Sequence, residues 1–324
     1  MTRREAHADA EDRALRAPSS ASTGLAATML AWRQLLRLGN VFTAASNVLA
    51  GFLLVQRGWS PGGVLAGLVF ASTTLYAAGM ALNDAYDAEV DARERSERPV
   101  PSGRVSRHAA FAVGWTLLAV GVGAALVASL VSGLVAPAIV GGCLAAMIVM
   151  YDAGLKRTWA GPVTMGWCRF LNVLLGASVA ADLTAEPAAW KYAAAIGMYT
   201  LGLSCLARGE ATDQRDAWPL AWGAAALVGA AGAMLAIADG FALAVPRYAW
   251  GALVLLAFAG VGLAWAHAAR GGMQRRIQAV VALLRGFVAL DALAALAAAG
   301  WGAAAIVLAL LAPTMIASRR APMT

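Results

Sequence analysis

The chain has 324 residues, of which 60% are hydrophobic and only 13% are charged. A soluble domain of this size would be about one-quarter charged, so the composition indicates that lipid is the main solvent of this protein. The formal net charge is +7. Most arginines lie in short segments between apolar runs, which favours contact with a membrane surface and argues against nucleic acid as a partner.

Apolar stretches fill most of the chain after a segment at residues 1–35, which we expect to be a polar cytoplasmic tail, disordered or loosely helical over residues 1–23. About ten of them are long enough, or nearly so, to cross a hydrocarbon core. They lie near residues 38–55, 62–82, 109–131, 134–151, 162–181, 190–207, 218–238, 245–267, 280–298 and 302–316. The expected fold is an all-α polytopic membrane helical bundle of about nine to ten transmembrane helices over residues 36–318, with a short tail at 319–324.

Positive charge alternates along these connections. Arginine and lysine follow the second, fourth, sixth and eighth spans, whereas the intervening connections are short and carry little positive charge. Because positive residues concentrate on the cytoplasmic side, the N-terminus and the even-numbered connections are predicted to be cytoplasmic. The expected location is therefore the inner membrane of a cell, with the polar loops on its cytoplasmic face.

The most informative polar segment follows the second span and reads NDAYDAEVDARERSERPVPSGRVS over residues 83–106. If the preceding helix continues through it, Asn83, Asp87 and Asp91 repeat every four residues, and Asp84 falls on the same face. Like charges on one helical face repel each other, but a divalent cation reverses that effect. Carboxylate and amide oxygens one turn apart suit Mg²⁺ and leave positions for substrate phosphates. The alternative is a solvated, charged loop between membrane helices.

Two further polar loops lie on the same predicted face. One contains Tyr151, Lys156 and Arg157 after the fourth span, and the other contains Glu210 and Asp213 after the sixth. Acids that hold a metal and bases that hold phosphate oxygens are complementary parts of a diphosphate site. The second acidic cluster could also be an ordinary charged loop.

Some polar residues interrupt the spans themselves. Because an ionisable group in lipid is costly, it indicates a pocket or a partner. Arg169 and Asn172 are three residues apart, share a helix face and are candidates to line one cavity. Asn47 is either a ligand contact or a hydrogen-bonding contact between helices. Asp291 and Arg285 are expected to neutralise each other or a neighbour.

These motifs resemble the UbiA superfamily of intramembrane prenyltransferases. The resemblance rests on Asn83-Asp84-x-x-Asp87-x-x-x-Asp91 followed by Arg98-Pro99, and on Tyr151-x-x-x-Leu155-Lys156-Arg157-Thr158. The Arg208-Gly209-Glu210 segment departs from the usual second acidic motif and is similar to the EboC-like branch, found in bacterial secondary-metabolite clusters. The resemblance implies a central cavity open to lipid and capped by cytoplasmic helical loops.

The resemblance also implies a Mg²⁺-dependent transfer of an isoprenyl group from a polyprenyl diphosphate to a lipophilic, aromatic or hydroxyl acceptor. The implied metal ligands are Asn83, Asp84, Asp87, Asp91, Glu210 and Asp213. The implied catalytic residues are Asp84, Asp87, Asp91, Lys156 and Arg157, and the implied substrate-binding residues are Asn83, Arg98, Tyr151, Arg169, Asn172 and Asn47. The alternative is a UbiA-like protein that assists transport of a metabolite without prenyl transfer. Transporters place coupling acids near the membrane midplane, whereas these acids lie at one end of the spans, which favours the enzyme.

Overall fold

The computed structural model describes residues 20–211, 217–270 and 272–320, and within these ranges the regular structure is entirely helical. The described helices are α1 (Ser20–Leu35), α2 (Val41–Gln56), α3 (Gly62–Tyr86), α4 (Ala88–Glu94), α5 (Arg107–Ser132), α6 (Ala136–Ala153), α7 (Gly161–Ala177), α8 (Pro187–Ala211), α9 (Ala217–Leu235), α10 (Arg247–Ala269), α11 (Met273–Ala309) and α12 (Leu311–Arg320). Short 3₁₀ helices at Leu155–Arg157, Leu183–Ala185 and Ala236–Ala238 join some of them. The predicted all-α membrane bundle is confirmed.

In the described part of the chain, six helical segments are long and apolar enough to cross a membrane. They are Gly62–Tyr86, Arg107–Ser132, Ala136–Ala153, Pro219–Ala238, Arg247–Ala269 and Gln274–Ile316, and Val41–Gln56 is a shorter apolar helix. The predicted spans at 162–181 and 190–207 correspond to α7 and α8. Both helices carry polar side chains that face the interior of the bundle. These side chains lower the mean hydropathy of α7 and α8, although both helices lie within the bundle.

The outer surface of the bundle is apolar, as lipid requires. Leu130, Leu256 and Leu263 are exposed by 75%, 71% and 73% in the middle of or near the ends of apolar helices. In water such a surface would be unfavourable, whereas against hydrocarbon tails it costs nothing. These side chains therefore mark the face of the bundle that contacts lipid.

Two glycines allow α2 and α7 to approach each other closely. A Cβ atom at Gly51 would lie 2.1 Å from the carbonyl oxygen of Val173, and one at Gly176 would lie 2.1 Å from that of Val48. No larger residue fits either position without separating the backbones, which is the role of small residues in membrane helix packing. This contact fixes α2 against α7, and both helices carry polar residues of the candidate site.

Helix α1 is part of the folded protein. Ala31 and Leu35 are fully buried, and they pack with Ala81, Ala85 and Val100. Residues 20–35 therefore form a helix packed onto the end of α3, within the segment 1–35 that is predicted to be a polar tail. The physical reason is that α1 has one apolar side, which is difficult to recognise next to the polar residues that precede it in the sequence.

Helix α11 is interrupted at Gly300, whose φ of 80° and ψ of −170° are not helical. A positive φ of this size is readily adopted only by glycine. The interruption falls between the ninth and tenth predicted spans, at 280–298 and 302–316. The backbone N–H of Ala244 donates to the carbonyl of Ala297 at 2.8 Å, which joins the connection before α10 to this end of α11.

Candidate active site

A cavity of about 770 Å³ opens into the bundle beside the loop that follows α3. Its walls combine a polar end with an apolar interior. Side chains that we predicted for the site and that line it are Asn83, Asp87, Asp91, Arg98, Tyr151, Lys156, Arg157, Arg169 and Asn172. Apolar lining residues include Leu75, Leu144, Ile148, Leu203 and Leu284. One cavity thus contacts both charged groups and a hydrocarbon-compatible surface.

The acidic segment after α3 is almost a continuous helix. Helix α3 ends at Tyr86, and α4 begins at Ala88. The backbone N–H of Asp87 donates to Asn83 at 3.0 Å, and that of Asp91 donates to Asp87 at 2.8 Å, so the four-residue repeat survives the break. Asn83, Asp87 and Asp91 all line the cavity, as their spacing predicted.

Asp84 is not among the residues that line the cavity, although it shares an arginine partner with Asp91. Its carboxylate is only 3% exposed, and its Oδ1 lies 3.4 Å from Arg37 and 3.6 Å from Arg98. The same Arg98 guanidinium lies 2.7 Å from Asp91 Oδ2. Seven residues of a helix make about two turns, so Asp84 and Asp91 point to the same side and reach the same guanidinium, as their spacing predicted.

The predicted basic residues lie directly against Asp87. Lys156 Nζ is 2.8 Å from Asp87 Oδ2 and 3.6 Å from Asp152 Oδ1. Arg157 lies 3.3 Å from Asp87 Oδ1 on the other side of the same carboxylate. The Lys156 side chain is 8% exposed, so its charge is poorly solvated and must be balanced by these acids.

Arg208 supports this arrangement from α8. One of its terminal nitrogens donates to the carbonyl of Lys156 at 2.5 Å. Gly161 leaves room for it, because a Cβ atom there would lie 2.1 Å from the same Arg208 nitrogen. The loop that carries Lys156 is therefore held between the start of α7 and the end of α8.

A buried polar network lies on the other side of the cavity wall, around Asp291. This residue is fully buried on α11 and accepts hydrogen bonds from Ser46 at 2.5 Å and from Asn47 at 2.8 and 2.9 Å. Tyr192 also donates to it. Asn47 is thus a contact between helices and is absent from the cavity lining, so the interhelical alternative is the one observed. The hydrogen-bond partners of Asp291 are therefore Ser46, Asn47 and Tyr192.

Arg169 connects the network to the cavity. It donates to the side-chain oxygens of Asn47 at 3.0 Å and Thr43 at 2.9 Å. Its guanidinium lies 4.8 Å from the ring centre of Phe287 and 5.6 Å from that of Tyr76. These contacts hold a cation within the bundle, with Asp291 as the nearby opposite charge.

Asn172, which we predicted beside Arg169, lines the cavity but is fully engaged. Ser72 donates to its amide oxygen at 2.6 Å, and its amide nitrogen donates to the carbonyl of Ala44 at 2.9 Å. Its polar atoms therefore tie α7 to α2 and α3.

Further polar residues line the cavity without having been assigned to the site, namely Arg37, Asn40, Tyr76, Asp152, Thr200, Ser204 and Arg208. Asp152 and Arg208 stand within the polar segments that were recognised, and Asn40 is a polar residue of the first predicted span, so the same arguments could have included them. Arg37 and Tyr76 carry no spacing signal, because Arg37 lies in the turn before α2 and Tyr76 lies on α3.

Oxygen ligands for Mg²⁺ are present at the polar end of the cavity. The amide nitrogen of Asn83 donates to Asp152 at 2.9 Å, which turns its amide oxygen away from that carboxylate. Among the described residues no three His, Cys, Asp or Glu side chains come together as a metal site. Mg²⁺ is usually bound by one or two carboxylates together with substrate phosphates, so Asn83, Asp87 and Asp91 fit an ion that a diphosphate completes.

The second predicted ion would be held by Glu210 and Asp213. Asp213 lies outside the described residues, and so does the side chain of Glu210 at the end of α8. Their assignment stays a prediction.

The sequence profile of the UbiA prenyltransferase family matches residues 44–278. The chain belongs to the UbiA prenyltransferase family. The match covers α3 to α10 together with most of α2, and so includes the segments that carry Asp87, Asp91, Lys156 and Arg157, whereas Arg37 and Asp291 lie outside it. The narrower resemblance to the EboC-like branch is not confirmed by the comparisons.

Curated proteins that the chain resembles include digeranylgeranylglyceryl phosphate synthases. The enzyme of Methanopyrus kandleri is 46% identical over 101 residues, or 31% of this chain and 36% of its own. The enzyme of Ignicoccus hospitalis is 30% identical over 160 residues, or 49% of this chain and 50% of its own. The chain thus spans between about a third and about half of the length of these curated relatives.

A solved structure, described as giving insights into digeranylgeranylglyceryl phosphate synthase in membranes, has the same fold. The TM-score is 0.61 at 16% identity, over 90% of this chain and 99% of the other. At this identity the likeness establishes the helical architecture alone.

Proposed function

We propose that this family member transfers an isoprenyl group from an isoprenyl diphosphate to a hydroxyl-bearing acceptor within the membrane. The observation that carries the proposal is the cavity itself. Asn83, Asp87, Lys156 and Arg157 meet at its polar end, and an apolar interior leads from them into the bundle. A diphosphate with a hydrocarbon tail has the same division between polar and apolar parts.

The basic residues would bind the diphosphate. In the structure, Lys156 and Arg157 neutralise Asp87, and Arg98 neutralises Asp91. Mg²⁺ held by Asn83, Asp87 and Asp91 would stabilise the negative charge that develops on the leaving diphosphate. Once those acids face a cation, Lys156, Arg157 and Arg98 are released to donate to phosphate oxygens, which accept charge-assisted hydrogen bonds.

The transfer breaks the allylic C–O bond, and its electron pair leaves with the diphosphate. Carbon C1 then forms a bond to the acceptor oxygen, whose proton passes to the released diphosphate. An aromatic face can stabilise the cationic carbon. Arg169 already lies over Tyr76 and Phe287, and Tyr151 is the other aromatic residue among the described lining. Tyr151 is therefore the ring we assign to that task.

The relatives' names support a hydroxyl acceptor. Digeranylgeranylglyceryl phosphate is a glyceryl phosphate that carries geranylgeranyl groups, so those enzymes are named for a product of this kind. An aromatic acceptor and a role in secondary metabolism stay predictions from the sequence. We also propose that the polar end of the cavity faces the cytoplasm, in line with the positive charge of its loops.

The test is binding of isoprenyl diphosphates of several chain lengths to the purified protein in detergent, with and without Mg²⁺. We expect saturable binding that is lost on chelation of Mg²⁺ and in the Asp87→Ala/Asp91→Ala double variant. A folded wild-type protein that binds none of these diphosphates would contradict the proposal and make metabolite transport the better hypothesis.

A further inference from the structure

Asn40 has an unusual position at the start of α2. It is the residue immediately before the helix, where an asparagine side chain commonly accepts a hydrogen bond from the first turn. Here the side chain makes no such bond. The residue is only 7% exposed, lines the cavity, and its Oδ1 has no hydrogen-bond partner among the described residues. A buried amide oxygen without a partner is costly and calls for a functional explanation.

The surrounding contacts fix this oxygen in place. The backbone N–H of Asn40 donates to Arg37 at 2.8 Å, and the carbonyl of Asn40 accepts from the backbone and hydroxyl of Thr43 at 3.0 and 2.7 Å. The oxygen is thus left as an acceptor without a donor.

The charged residues around Asn40 further restrict the chemical class of the ligand. Arg37 and Arg169 line the same cavity, and Thr43 joins Asn40 to Arg169 through the hydrogen bonds already described. A ligand that satisfies this region must supply a hydrogen-bond donor to Asn40. An anionic group on the same ligand would be attracted by the two arginines, in competition with Asp84 and Asp291.

We propose that Asn40 Oδ1 accepts a hydrogen bond from the hydroxyl group of the acceptor substrate, and that Asn40 thereby selects acceptors with a hydroxyl and an anionic group. A monoalkylglyceryl phosphate is such a compound. The inference rests on the proposed function and adds to it a residue that distinguishes the acceptor from other lipids. It places acceptor recognition on the turn before α2, on different residues from those proposed to bind the diphosphate.

The experiment compares a monoalkylglyceryl phosphate with its deoxy analogue, which lacks the hydroxyl, as ligands of the full-length protein in nanodiscs. The wild type should bind the hydroxyl compound about tenfold more tightly, the effect of one buried hydrogen bond. Asn40→Leu keeps a similar volume without an oxygen, and it should bind both compounds equally. Asn40→Asp keeps an oxygen and should retain the preference.

Isoprenyl diphosphate binding serves as the control for folding, since Asn40 is not assigned to that site. If diphosphate binding persists and Asn40→Leu keeps the wild-type preference, the inference is wrong while the proposed function stands. A wild type that binds diphosphates but does not distinguish the two acceptor analogues also overturns it. A wild type that binds no diphosphate refutes the proposed function and this inference together.

Discussion

Two aspartates three residues apart have different surroundings. Asp87 lines the cavity and contacts Lys156 and Arg157. Asp84 is buried behind the wall and contacts Arg37 and Arg98. On this geometry Asp87 is a candidate ligand, whereas Asp84 positions the arginines that adjoin the site. The two aspartates belong to one sequence motif, but their surroundings in the structure differ.

Replacing Asp87 should impair turnover without affecting membrane insertion. Asp87→Asn removes one charge of the proposed metal site, and we expect the rate to fall by about a hundredfold or more, as for other groups that stabilise transition-state charge. The measurement is pyrophosphate release in nanodiscs. Glu89→Gln is the matched control, because that side chain lies two residues further along, in α4, and is 81% exposed. Equal rates for Asp87→Asn and Glu89→Gln would refute the assignment.

Asp291 should contribute to stability through Arg169. Asp291→Leu leaves the cation buried without its nearby opposite charge, which costs about 3–5 kcal/mol in comparable buried pairs. Thermal unfolding in detergent should show a large loss of stability. The double variant Asp291→Leu/Arg169→Met should recover part of it. If the loss of stability in the double variant equals the sum of the losses in the two single variants, the two residues are not coupled.

At the level of helices, the site depends on how closely α2 and α7 pack. These helices supply Asn40 and Thr43 on one side and Arg169 and Asn172 on the other, and their hydrogen bonds require the short separation at Gly51 and Gly176. A sequence shows that small residues are abundant, but it does not show which of them face a neighbouring backbone.

Enlarging either glycine should therefore destabilise the bundle. Gly176→Val pushes α7 away from α2, and overpacking of this kind costs about 1–3 kcal/mol. Thermal unfolding in detergent measures the effect, and loss of acceptor binding should accompany it. Gly142→Ala is the control, since a Cβ atom there meets nothing within 4 Å. Similar unfolding temperatures for both variants would show that the contact can relax without cost.

The sequence predicted the bundle and much of its polar cavity because these features repeat along the chain. Spans follow from hydropathy, and Asn83, Asp87 and Asp91 follow from a four-residue repeat on one helix. The burial of Asp84 against Arg37 could not be predicted, because Arg37 comes from the distant turn before α2. Asn40 is recognisable as a polar residue in an apolar span, but its unpaired oxygen is defined only by the residues that surround it in the fold.

For the whole molecule, the proposed orientation places both the charged loops and the opening of the cavity on the cytoplasmic side. In a background with Cys143, Cys168 and Cys205 replaced by serine, a cysteine at Ser102 should be protected from a membrane-impermeant maleimide in intact cells. A cysteine at Gly240, in the connection before α10, should react. The reverse labelling pattern would mean that the bundle is inverted.

The central claim is that this protein transfers an isoprenyl group, and the most direct test follows both products of one reaction. Purified protein in nanodiscs is given Mg²⁺, an isoprenyl diphosphate and a monoalkylglyceryl phosphate, and pyrophosphate and the alkylated lipid are quantified together. We predict equal amounts of both, and neither in the Asp87→Ala/Asp91→Ala variant. Tight binding of the diphosphate with no alkylated product from any hydroxyl or aromatic acceptor would contradict the account.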